Sequence, residues 1–110
     1  FIDTSVAEEV RATESKQVDD KFGTLEIKYT ERGFEPSTVN AIMNQMVKWN
    51  NTTTEPILIK QLIKIYPEIS DGIKIEPNSS AEFRVYKPKM WSYEEANSKN
   101  KASIYVVENK

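Results

Sequence analysis

The chain has no cysteine and no histidine among its 110 residues. Without cysteine there are no disulfides, no thiolate nucleophile and no sulfur ligand for a metal. Without histidine the usual general base and the commonest nitrogen ligand for transition metals are missing. Only three glycines are present, and no glycine-rich stretch cradles a phosphate. No apolar run reaches the roughly 18 residues that a membrane-spanning helix needs. There is no excess of positive charge either: the net charge of −2 and pI near 5.3 give no basic field, so no nucleic-acid partner is expected.

What is present suits one domain. A chain of 110 residues with 38% hydrophobic content can bury a core without staples. Residues 1–20 stand apart. Ser5 to Glu14 is polar and charged, with Val6 and Val10 at helical spacing and little else to bury. This stretch reads as a leader or stalk, helical or disordered, ahead of a domain over 21–110. The chain begins at Phe1 rather than Met, which suggests a processed piece with a signal peptide or membrane anchor upstream, and hence an extracytoplasmic place.

From Thr24 onward the period is two. Leu25, Ile27 and Tyr29 alternate with Glu26, Lys28 and Thr30, the mark of a half-buried strand. Val39–Ile42, Gln45–Trp49, Ile57–Ile59, Ile73–Ile75, Phe83–Val85, Trp91–Tyr93 and Ser103–Glu108 supply further strands. The run Ile42–Val47 would also suit a helical turn by propensity. The apolar run from Ile57 goes on through Leu62, Ile63 and Ile65. Pro, Asn, Asp and Gly clusters separate these segments, as in an all-β sandwich or barrel.

The order of motifs resembles the cupredoxin family of plastocyanin-like blue copper domains. The residues that carry the resemblance are Phe34-Glu35-Pro36-Ser37-Thr38-Val39, Val47-Lys48-Trp49-Asn50, Ile75-Glu76-Pro77-Asn78-Ser79 and Phe83. Lys87-Pro88-Lys89-Met90-Trp91-Ser92-Tyr93 and the closing Ile104-Tyr105-Val106-Val107-Glu108 complete them. The resemblance covers about residues 24–109 and implies a Greek-key β-sandwich of roughly 7–8 strands. An immunoglobulin-like sandwich has a similar strand rhythm.

The resemblance also implies where copper ligands would fall. The thiolate position falls on Glu94, the second imidazole near Asn97, the methionine near Asn100, and the first imidazole within Glu55-Pro56-Ile57. Type 1 copper requires two imidazoles and a thiolate. None of these residues supplies either, so blue-copper electron transfer is excluded on chemistry and no cofactor is expected.

Two readings follow. Glu55, Glu94, Glu95, Asn97 and Asn100 would form an oxygen-rich rim, with Glu55, Glu94 and Asn97 as the donors for a hard cation such as Ca²⁺, Mn²⁺ or Fe³⁺, although solvated loops carry such residues routinely. Alternatively the frame is a non-redox protein-binding or structural module of a secreted or membrane-attached assembly, with Tyr86, Tyr105 and Met90 as partner-binding candidates. Leu62–Tyr66 is a further candidate surface or a segment packed under its own lid. Trp49 and Trp91 read as core. An enzyme has little support: no nucleophile elbow is present, and Glu94 and Glu95 would face opposite sides of a strand. Asn50, Asn51 and Asn78 fit the glycosylation acceptor pattern, which has meaning only in a glycosylating host.

Overall fold

Side chains two apart along an extended chain share a face, so an alternating pattern puts one face in the core and one in water. In the computed structural model, which describes Asp19 and residues 21–108, this pattern yields nine strands. They are β1 (Leu25–Thr30), β2 (Gly33–Glu35), β3 (Thr38–Ile42), β4 (Gln45–Asn51), β5 (Ile57–Gln61), β6 (Ile73–Ile75), β7 (Ser80–Val85), β8 (Met90–Glu95) and β9 (Lys101–Val107). One turn of 3₁₀ helix, Pro67–Ile69, lies between β5 and β6.

The strands form two layers. One sheet runs β2-β1-β4-β7 and the other β3-β9-β8-β5-β6. Both are mixed: β1 pairs with β4 and β3 with β9 in parallel, while the remaining pairs are antiparallel. The nine strands exceed the 7–8 expected because Pro36, which cannot donate a ladder bond, separates β2 in one sheet from β3 in the other. The Ile42–Val47 run is no helical turn. It is a tight reversal at Met43-Asn44, with Asn44 at φ 76°, that carries the chain from one sheet to the other.

The core lies between the layers. Ile27, Val47, Trp49 and Val85 face Ile59, Trp91, Tyr93, Ile104 and Val106, all buried. Trp49 meets Trp91 at 6.1 Å and Tyr93 at 5.7 Å, both edge-on, the favoured arrangement for aromatic pairs. Its indole N–H donates to the Tyr93 hydroxyl at 3.2 Å, and the Trp91 indole donates to Gln61 Oε1 at 3.2 Å. Both tryptophans are therefore core, as expected.

The apolar run after Ile57 divides. Ile59 stays buried in β5, Tyr66 is buried beyond it, and Leu62 and Ile63 are exposed. Gln61 pins this segment, donating to the Tyr66 and Ile69 carbonyls and accepting from the Tyr66 N–H. One residue of the expected leader is engaged: Arg84 grips both oxygens of Asp19, at 3.0 and 3.1 Å. The rest of that leader lies outside the described residues.

Candidate functional site

At one end of the sandwich the close of β8 meets the starts of β5 and β9. Inward positions on β8 are Trp91, Tyr93 and Glu95, and only the last is a carboxylate. Glu95 is 3% exposed. An isolated buried carboxylate would be costly, so its partners decide whether it is tolerated. Oε1 accepts from the Asn97 N–H at 3.0 Å and the Ser98 N–H at 2.7 Å, and Oε2 accepts from the Leu58 N–H at 3.0 Å.

Burial alone would raise this carboxyl, but hydrogen bonds from Ser98, Leu58 and Asn97 outweigh it and hold the group below its ordinary value. The anion therefore ties β5 to the loop 96–100. Main-chain bonds reinforce the tie: Ala96 N–H donates to Leu58 O at 2.8 Å, and Glu95 N–H to Asn100 O at 2.9 Å.

Tyr29 of β1 joins from the other sheet. Its hydroxyl lies 2.7 Å from Ser98 Oγ and accepts from Asn100 Nδ2 at 3.2 Å. Gly33, at φ 110°, lets the chain pass close to Asn100; a Cβ there would sit 3.2 Å from the Asn100 side chain. Buried Asn51 fixes the neighbouring turn. Its amide nitrogen donates to the carbonyls of Glu55, Ile75 and Glu76, and its oxygen accepts from Thr53. Around these groups lies an open cleft of about 550 Å³ lined by Glu31, Glu55, Glu95, Asn97 and Asn100, among others.

The proposed oxygen donors are only partly brought together. Glu55 and Asn97 line this cleft. Glu94 has the opposite parity to Glu95 and lies on the outer face of β8, between Lys60 and Lys101 in register, with Lys99 Nζ at 4.0 Å. Among the described residues no set of three or more acidic side chains is arranged to hold a metal. Sequence reasoning counted Glu95 among the rim oxygens but set the anchor one residue away, on Glu94. Stepping in twos from Trp91 and Tyr93 makes Glu95 the inward residue.

The partner-binding candidates separate too. Met90 and Tyr105 are exposed, at 41% and 45%, and face each other across β8 and β9. Tyr86 is half-buried: its ring packs edge-on against Tyr66 at 5.1 Å and its hydroxyl donates to Glu68 at 2.8 Å. It is a packing residue more than a free anchor. Of the acceptor-pattern asparagines, Asn51 is buried with its amide fully engaged, while Asn78 is exposed in a turn.

No protein-family model and no curated protein sequence matches the chain. Solved structures do. A reduced amicyanin variant is similar with TM-score 0.68 and 13% identity, over 84% of this chain and 88% of that one. The purple cupredoxin from Nitrosopumilus maritimus has TM-score 0.62 and 13% identity, over 74% of this chain and 98% of its own. A copper-containing nitrite reductase from Thermus scotoductus has TM-score 0.66 and 14% identity, over 79% of this chain but 23% of the enzyme. At such identities the likeness establishes the fold, a cupredoxin-type β-sandwich. The carboxylate, amide and hydroxyl donors at this cleft do not fit the imidazole and thiolate set of type 1 copper.

Proposed function

We propose that this is a copper-free, cupredoxin-fold recognition or structural module, extracytoplasmic and without catalytic activity, that binds a protein partner within a larger assembly. The observation that carries this reading is Glu95. Both oxygens of Glu95, the one buried carboxylate among the described residues, are occupied by the chain's own Leu58, Asn97 and Ser98 N–H groups. They serve to hold loops together, leaving a rigid frame whose outward surfaces carry the work. Exposed Met90 and Tyr105 support a protein interface, because large apolar side chains in register on a sheet face are suited to anchoring a partner.

The competing reading is a hard-cation site. What supports it is that Glu55 and Asn97 line one cleft with Glu31 and Asn100.

Site-specific photo-crosslinking in the native host tests the proposal. A crosslinker at Tyr105 should yield one reproducible protein adduct, and one at Lys28 on the opposite sheet should not. Stoichiometric metal in the protein as isolated, lost on Glu55→Gln, would overturn the proposal in favour of the cation site.

A further inference from the structure

The outer face of the five-stranded sheet is uneven. Its loop-96–100 end is polar, with Lys60, Glu94 and Lys101 side by side in register. Its other end is apolar. Met90 pairs with Tyr105, and Leu62 and Ile63 follow directly on β5, at 44% and 41% exposure. The N–H groups of Leu62 and Ile63 both point at the Ser92 carbonyl, at 2.9 and 3.4 Å, which places them beside β8. Between the two ends, the small Ser92 and Ser103 side chains bond to each other at 2.9 Å.

Positive charge borders the apolar end. Lys64 follows Ile63, and Lys87 and Lys89 precede Met90; Lys64 and Lys89 are exposed. No ion pair engages any of these three lysines among the described residues. Of the nearby carboxylates, Glu68 accepts from the Tyr86 hydroxyl, and Glu108 lies beyond the end of β9. The opposite sheet differs: there Glu26, Lys48 and Glu82 alternate in sign across β1, β4 and β7.

We infer that this face docks an acidic polypeptide segment with apolar anchor side chains, in a complex where the lysines meet its carboxylates and Met90 and Tyr105 its apolar groups. This rests on the recognition reading above and names the class of partner. Charge complementarity favours this occupant. A second copy packed face to face would set lysines against the same lysines. An anionic bilayer is the rival occupant that the vesicle arm of the test reads; against it, the main chain of Leu62 and Ile63 is fixed to β8 at the Ser92 carbonyl.

The test uses synthetic peptides of about a dozen residues alternating Asp or Glu with Leu or Phe, and analogues with Lys replacing the acids. Anionic vesicles of phosphatidylglycerol and phosphatidylcholine provide the lipid arm. Amide chemical shifts should move on adding the acidic peptide at Leu62, Ile63, Met90, Ser92 and Tyr105, and stay put on β1 and β4. The lysine analogue should bind about tenfold more weakly. Met90→Ser with Tyr105→Ser, and separately Lys87→Glu with Lys89→Glu, should each weaken the acidic peptide by about tenfold or more, with the melting temperature unchanged.

Equal binding of both peptides, or vesicle binding without peptide binding, would overturn the inference. Shifts mapping to another face would sink it too, yet leave the recognition reading standing. Absence of any peptide binding, together with a metal-dependent rise in melting temperature lost on Glu55→Gln, would remove both.

Discussion

Glu95 Oε2 accepts the Leu58 main-chain N–H at 3.0 Å, so a single buried carboxylate joins the end of β8 to the start of β5. Its other oxygen holds the Asn97 and Ser98 N–H groups of the following loop. Hydrogen bonds to a charged acceptor are stronger than neutral ones, and they offset what it costs to take the anion out of water.

Glu95→Gln keeps the shape but turns an amide NH₂ toward N–H groups that need an acceptor. The expected loss is about 2–4 kcal/mol in urea unfolding. Glu95→Ala strands all three donors, at about 1–3 kcal/mol for each one that water does not reach, and should cost more. Amide exchange at Leu58, Asn97 and Ser98 should quicken in both variants, while that of Trp49 and Ile104 changes only with global stability. Unchanged exchange at those three amides would show that the carboxylate is not the tie.

The same group gives the protein an acid-sensitive component. Its folded value lies below the ordinary carboxylate value, so its contribution is fully present above the unfolded value and is lost as pH falls through the folded one. Urea midpoints of the native protein and Glu95→Gln should therefore differ by a constant amount at neutral pH. They should converge as pH falls below the ordinary carboxylate range and through the depressed value of the folded carboxyl, where the native group takes up its proton. A gap that begins to close only above the ordinary carboxylate range, or that widens as pH falls, would contradict this account.

The strand pattern was legible because alternation reports burial directly. Leu25, Ile27 and Tyr29 marked β1, and Trp91 and Tyr93 marked β8. The division of Gly33–Ile42 between two sheets was not legible, since composition does not say where a proline will break a ladder. The run Leu62–Tyr66 read as either a surface or a segment packed under its own lid, and composition could not show that β5 stops at Gln61, whose side chain caps the Tyr66 turn. At the site the miss was one of parity. A motif count landed on Glu94, and alternation along β8 makes Glu95 the inward residue. The Asn51 and Tyr29 bonds join residues far apart in sequence, which local pattern cannot register.

Tyr93 offers a test of the core. Burial pushes its hydroxyl far above the ordinary phenol value, so it stays protonated and accepts the Trp49 indole N–H at 3.2 Å. Tyr93→Phe preserves the edge-on contacts but leaves that N–H buried without a partner. A loss of about 1–3 kcal/mol is expected, with a shift in tryptophan emission. Trp49→Phe removes the donor itself and also leaves a cavity, so the double variant should cost less than the sum of the two singles.

Arg84 and Asp19 make a tie that is local. The pair is partly exposed, at 28% and 41% of the side chains, so it should contribute less than about 1 kcal/mol to global stability. Asp19→Ala, which leaves the Arg84 bond to the Asn44 carbonyl in place, should instead speed proteolytic cutting around residue 20, with little change in the urea midpoint. A large drop in the midpoint would mean that the segment before β1 is part of the core.

The most direct test of the central claim is thermal unfolding at neutral pH, in chelator and then with Ca²⁺, Mn²⁺, Fe³⁺, Cu²⁺ or Zn²⁺, for the native protein, Glu95→Gln and Glu55→Gln. A ligand that binds only the folded state raises the melting temperature by mass action. If a carboxylate tie stands at the loop end in place of a metal, the native melting temperature is the same in chelator and in every ion, and Glu95→Gln lowers it in all of them equally. A selective, saturable rise with one ion that Glu55→Gln abolishes would contradict the account and make the cleft a metal site.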